Sequence, residues 1–228
     1  MLKTILGLLF IIPFIFSCKN ANTAEKKQSS PFKMIKYYVR YIEQSKQAQF
    51  EAKFYNEKDS AIPISGGVFV SDSKLEAKNL PKEGWIHRYI KRPASFDSLF
   101  IFSVNFSKDQ IFKDSVVMSV YPDFKLATPK LSKKTGGLIT WNGSALAQED
   151  GLTLVFEDKE GFNFTNNHVG ITRGAQFEIR PEVLAGLKNG KVVIRAVHKR
   201  TTVDKVENTR KVILTEYYRI PFEAEIVD

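Results

Sequence analysis

The chain has a single cysteine, Cys18, among its 228 residues. One cysteine cannot form a disulfide within the chain, so the cross-linked frameworks of small secreted domains are excluded. Stability must therefore come from a buried apolar core. A chain of this length can bury enough apolar surface for that.

Histidine is also scarce, with three residues, His87, His168 and His198. No two of them have the spacing of a metal-binding pair and no second cysteine is present, so we expect no metal site and no cofactor. The segment Phe156–Asn167 gathers carboxylate and amide oxygens, but its spacing lacks the order of a calcium loop. A hairpin loop with solvated polar residues is the expectation there.

The N-terminal apolar run is too short for a transmembrane helix. It extends from Ile5 to Phe16, whereas about 20 apolar residues are needed to cross a bilayer, and Pro13 interrupts it. One positive charge before the run and a small residue after it are typical of a secretory signal. We assign residues 1–17 to a signal peptide.

The residues Ile15-Phe16-Ser17-Cys18 resemble a bacterial lipobox, although Phe16 is bulkier than the usual residue at its position. The resemblance implies cleavage before Cys18 and acylation of its thiol and new amine. More than one acyl chain gives stable anchoring, because each buried methylene contributes about 0.8 kcal/mol. In this family Lys19, rather than Asp, after the cysteine favours the outer membrane. The expected location is its periplasmic face, with exposure at the cell surface as the alternative.

The positive charge of the chain is concentrated close to this anchor. The net charge is +9, and the segment Lys19–Lys46 holds seven basic and two acidic residues. Basic residues near an anionic membrane surface each gain about 1 kcal/mol, while a solvated linker whose charge only aids solubility is an equal alternative. An exported chain with this distribution is not expected to bind nucleic acid.

Beyond the polar linker, residues 18–31, the dominant hydrophobic period is two. "QFEAKFY", "LFIFSVNF" and "LTLVFE" alternate apolar and polar residues, as half-buried strands do. "KVVIRAVHK" and "KVILTEYYRIPFE" are predicted to form a hairpin across the polar stretch "RTTVDKVENTR". The only predicted helical turn is "RPEVLAGLKNG". The pattern predicts an all-β chain of β-sandwich type.

A seam near Phe124 predicts two tandem β-sandwich modules, residues 32–124 and 125–228. The seam "YPDFKLATPKLSKKTGG" is rich in proline, lysine and glycine. The second half, with "GLITWNGSAL", "GLTLVFEDKEG" and "IRPEVLAGLKNGKVVIRAV", resembles the immunoglobulin-like or fibronectin type III group. It lacks the tyrosine and the cysteine pair of that group. The resemblance implies a scaffold and no particular activity.

Two kinds of candidate site remain. Trp85, His87 and Tyr89 in "GWIHRYIKR" would share one strand face and could stack on a sugar, but either face of that strand could be the buried one. Three D-[ST]-[AILMVT] matches resemble the acceptor motif of a periplasmic O-glycosylation system, which implies glycans on Ser60, Ser98 and Ser115. Capping of turns by Asp and Ser is the alternative explanation.

No set of residues converges into a recognisable catalytic group. "SDSK" and "KTG" match short motifs of penicillin-binding proteins, but the middle motif is missing and the first follows a strand. The leading hypothesis is a non-enzymatic envelope lipoprotein that binds or supports another envelope component. The alternative is a glycan-binding lipoprotein, and an enzyme with dispersed carboxylates stays open.

Overall fold

A computed structural model describes residues 31–107, 110–121 and 123–228, and these are almost entirely β-strands. The predicted all-β class is therefore confirmed. Cys18, the predicted lipidation site, lies outside the described residues. Within the described ranges, no helix combines the length and the apolar character needed to cross a bilayer.

Among the described residues, the first half of the chain forms eight strands, and in the longest of them the inward residues follow the predicted period of two. In "QFEAKFY", for example, Phe50, Ala52 and Phe54 are buried, whereas Glu51 and Lys53 lie on the other face. The strands are β1 (Met34–Ile42), β2 (Gln47–Tyr55), β3 (Ala61–Ile62), β4 (Val68–Val70), β5 (Ser73–Leu80), β6 (Gly84–Lys91), β7 (Leu99–Ser107) and β8 (Gln110–Val117).

The second half adds nine strands and the predicted helical turn, which begins with Pro181 at its first position. The elements are β9 (Lys125–Leu126), β10 (Lys130–Ser132), β11 (Gly137–Thr140), β12 (Asp150–Asp158), β13 (Asn163–Val169), β14 (Gln176–Ile179), α1 (Pro181–Leu184), β15 (Gly190–Val206), β16 (Thr209–Tyr218) and β17 (Phe222–Val227).

The predicted hairpin of β15 and β16 is present, but the prediction of a long polar connection was wrong. Residues Thr201–Val206 continue β15 to its pairing with Thr209, so only Glu207 and Asn208 form the turn. The polar stretch can form a strand although most of its side chains are exposed, because its threonines and valines favour extended backbone.

A first hydrophobic core lies between two layers of strands. One layer runs β15-β16-β1-β2-β6-β5, and β4, β7 and β8 form the opposite layer. Tyr37 of β1 meets Phe102 of β7 across this core, with ring centroids 4.6 Å apart. The core also contains Ile213 and Tyr217 from β16, because β16 pairs in parallel with β1 along its whole length.

A second core forms around β12, the first half of β15 and β17, covered by the three-stranded sheet β14-β11-β9. Phe156, Ile194 and Leu184 of α1 are fully buried in it. The 17 residues of β15 span about 56 Å at about 3.3 Å each. One hairpin therefore serves both cores, and the predicted boundary near Phe124 stays a prediction.

Candidate functional site

The residues with the most unusual surroundings lie where the two cores meet, on the inner face of β15. His198 follows Val192, Ile194 and Ala196 on that face, as the alternation predicts, and is 6% exposed. The segment that leaves β8 crosses this face at Ser119 and Tyr121. The ring of Tyr121 packs edge-on against His198, with centroids 4.6 Å apart.

Asp150 is the centre of this junction cluster, which consists of Ser119, Tyr121, Asp150, His198 and Arg200. It starts β12 and is 1% exposed. Its Oδ2 accepts hydrogen bonds from the Tyr121 hydroxyl at 2.9 Å and from the Ala147 N–H at 2.8 Å. Its Oδ1 lies 3.1 Å from Nε2 of His198. A buried carboxylate is tolerable only with such a complete set of partners.

Two opposing effects set the pKa of Asp150. Burial raises it, because it disfavours the charged form, but hydrogen bonds from His198, the Ala147 N–H and Tyr121 favour that form more strongly. The resulting pKa is about 2, against an ordinary value of 3.8. Burial, followed by the bond to Asp150, raises the pKa of Tyr121. At neutral pH the cluster thus contains a stable anion and a neutral phenol.

Both ring nitrogens of His198 face acceptors. Nε2 meets Asp150, and Nδ1 lies 3.2 Å from the carbonyl oxygen of Ser119. Through these two contacts the ring links the segment that follows β8 to the start of β12.

Arg200 connects the cluster to the surface. Its Nη1 donates to the Ser119 hydroxyl at 3.2 Å and lies 4.0 Å from Oδ1 of Asp150. Two depressions, of about 380 and 440 Å³, meet at this residue and share Ser119 and Arg200 in their walls. The larger is bounded by the loop that contains Asn142 and Ser144.

The depression of about 380 Å³ is a groove along the open side of the first sandwich. One wall is the inner face of β15 and β16, with Thr202, Asp204 and Thr215, and the other is the end of β8, with Ser115 and Val117. Hydroxyl groups and charges of both signs line it. A ligand in this groove would meet polar side chains on both walls.

The predicted sugar platform does not form an exposed row of rings. The face of β6 that carries Trp85, His87 and Tyr89 points towards the first core. His87 is 1% exposed, and its Nε2 accepts the Ile64 N–H at 3.3 Å. Tyr89 stacks on Phe50, with centroids 6.3 Å apart. Burial lowers the pKa of His87 to about 4. The carbohydrate role stays a prediction that this placement does not favour.

The three predicted acceptor serines are exposed. Ser60 follows a turn, Ser98 precedes β7 and Ser115 lies within β8. Asp97 and Asp114 accept the backbone N–H groups of Leu99 and Ser115. At these two sites the aspartate of the motif therefore bonds a nearby backbone N–H group, as the capping explanation expects. Glycosylation stays a prediction.

The acidic loop after β12 uses its oxygens internally. Oδ1 of Asp158 accepts the N–H groups of Glu160 and Phe162 and closes the turn into β13. In the part of the chain that the structure describes, no group of three His, Cys, Asp or Glu side chains is placed to hold a metal ion.

Sequence reasoning missed Tyr121, Asp150 and Arg200. One signal was available in "DGLTLVFED", where Asp150 shares the period-two face of Leu152, Leu154 and Phe156. A charged residue on a buried face requires a partner. The position of that partner follows only from the pairing of β12 with β15.

No protein-family model matches the chain, and a search of curated proteins finds no similar sequence.

Proposed function

We propose that the chain is a non-enzymatic lipoprotein of the outer membrane, which holds its two-core β body at the periplasmic face and binds another envelope protein. The observation that carries the proposal is the lipobox-like sequence ending in Cys18, followed by a polar linker that leads into this body. Exposure at the cell surface remains the alternative orientation.

The body is arranged suitably for a tether. The linker from Lys19 to Ser30 would reach at most about 40 Å if fully extended. The chain enters the body at the closed end of the β15–β16 hairpin, where the Phe32 carbonyl oxygen accepts the Thr209 hydroxyl at 2.6 Å. The first core therefore lies next to the attachment point and the second core lies farther along β15.

The junction provides the binding surface in this proposal. The junction cluster connects the segment after β8 to β12 and β15 through a buried anion, and these contacts would hold the walls of the two depressions in place. A preformed surface loses little conformational entropy on binding. Grooves at the meeting of two cores are common binding positions.

The tether is tested by substituting Cys18→Ser in cells and separating membranes from soluble protein. We expect the variant to leave the membrane fraction, because the thiol that carries the acyl chain is gone. Ser30→Ala is the matched control in the same segment and should sediment like the wild type. A Cys18→Ser protein that remains in the membrane pellet after an alkaline wash would overturn the proposal.

A further inference from the structure

The second half of β15 has an unpaired edge. β12 covers one side of β15 from Val192 to Arg200. Beyond that point, no described strand pairs with this side over Thr201–Val206. The other side of the same segment is paired with β16 down to the turn.

The backbone groups on this edge are directed outwards. Thr201 donates its N–H to the Glu149 carbonyl oxygen at 2.9 Å, on the β12 side. Residues two apart in an antiparallel ladder direct their N–H and C=O groups to the same side. Val203 and Lys205 therefore each present a donor and an acceptor in line with the end of β12, and neither group meets a partner among the described residues.

The edge of β8, across the groove, is protected. Its outward N–H at Ser115 is already bonded to Oδ1 of Asp114 at 2.9 Å, and the same oxygen accepts Nζ of Lys211 at 3.0 Å. Side chains that occupy edge groups are a usual defence against unwanted strand pairing. The β15 edge has no such cover within the described residues.

The groove beneath the β15 edge carries complementary charges. Arg200 lies at one end and Asp204 four residues along, on the same face. Lys211, which faces Asp204 across the ladder, is paired with Asp114 instead. Asp204 thus has no ion-pair partner within the described ranges. Arg200 already lies 4.0 Å from the carboxylates of Glu149 and Asp150. An occupant with a basic side chain near Asp204 would supply the ion pair that this end of the groove lacks.

We propose that the edge Thr201–Val206 accepts an extended segment of a partner protein as an added strand, whose alternate side chains enter the groove between β15 and β8. Main-chain hydrogen bonds supply affinity in this mode, and the pockets for alternate side chains supply specificity. The inference rests on the proposed function, since it names the chemistry of the partner that the tethered body binds.

The test uses full-length protein purified in detergent and a displayed library of random 12-residue peptides. Val203→Pro removes one outward N–H without breaking a bond inside the sheet, because proline is tolerated on such edges. We expect the selected peptides to bind this variant about tenfold more weakly, the effect of one lost hydrogen bond of about 1.4 kcal/mol. In the wild-type complex, amide exchange at Val203 and Lys205 should slow by a similar factor.

The matched control is Thr165→Pro. Thr165 lies on β13, which pairs only with β12 among the described strands. By the same alternation, its N–H points away from β12, because the Gly170 N–H points towards Asp150. Binding should be unchanged in this variant. If Val203→Pro unfolds, Thr202→Trp, whose larger side chain would fill the groove, is the second variant and should also weaken binding.

Several results would overturn the inference. They are the absence of selected peptides, equal binding to Val203→Pro, or amide protection away from Thr201–Val206. If the amides of Thr201–Val206 are protected from exchange without peptide, and deleting residues 19–30 removes this protection, the edge is occupied by the linker of the same chain. If the protection rises with protein concentration, the edge is occupied by a second copy of the protein. In each case the Cys18→Ser fractionation still decides the tether separately.

Discussion

Replacement of Asp150 by asparagine tests whether a buried anion holds the two cores together. Asp150→Asn keeps the shape of the side chain but removes the charge that His198 and Tyr121 contact. The new amide can accept only part of the hydrogen bonds that the carboxylate accepts. Weakening the hydrogen bonds to a buried charged group, and leaving their donors without a full partner, destabilises a protein by about 3 kcal/mol. At about 2–4 °C per kcal/mol for a chain of this size, the unfolding midpoint should fall by about 6–12 °C.

The stability of the fold should also depend on pH, in a direction that the pKa of Asp150 determines. The pKa of Asp150 is about 2 in the folded protein, against an ordinary value of 3.8. The unfolded chain therefore binds this proton first as the pH falls. The stabilisation, about 2 kcal/mol, is complete above about pH 4 and is lost as the pH falls through 2. The variant should lose less stability than the wild type between pH 4 and pH 2.

Urea unfolding followed by circular dichroism at several pH values measures both effects. Glu149→Gln is the matched control, because this neighbouring carboxylate is 45% exposed and lies 4.0 Å from Arg200. It should change the free energy of unfolding by less than about 0.5 kcal/mol. Equal stability of Asp150→Asn and wild type, with parallel pH profiles, would refute the role given to the cluster.

Two further substitutions test the fold. Ile194→Ala removes a buried side chain from the second core and should lower the free energy of unfolding by about 3 kcal/mol. Because β15 serves both cores, the unfolding transitions followed by Trp141 fluorescence, in a Trp85→Phe background, and by circular dichroism should shift together. A shift of the fluorescence transition alone would contradict the coupling of the two cores. Gly136→Ala should destabilise the chain in urea by more than about 2 kcal/mol, because φ is +77° and the new methyl group would overlap a carbonyl oxygen of β14. Gly143→Ala is the control: φ is +117° there, and a methyl group added at this position would meet no atom within 4 Å. It should lower the free energy of unfolding by only about 1 kcal/mol. Equal losses in the two variants would show that steric overlap at Gly136 is not the cause.

The alternation of side chains was sufficient to predict most of the long strands. Phe50 and Phe54, Phe102 and Val104, and Leu154 all lie buried on the face that the period of two assigned to them. The sequence of a strand shows which of its own side chains are buried. It does not show which other strand pairs with it, so the parallel pairing of β1 with β16 could not be predicted.

The candidate site was harder to predict for the same reason. Asp150 and His198 are 48 residues apart and are brought together only by the register of β12 on β15. The row Trp85, His87 and Tyr89 illustrates the opposite case, since alternation placed the three residues on one face but could not identify it as the inward one. The hydrophobic period shows which side chains share one face of a strand, but which face is buried depends on how the sheets pack together.

The most direct test of the proposed tether is the mass of the native protein extracted from cell membranes. We expect a mature chain that begins at Cys18 and is heavier than its residues by the mass of the acyl groups. A chain that retains residues 1–17, or that begins elsewhere with an unmodified thiol, would contradict the lipoprotein proposal.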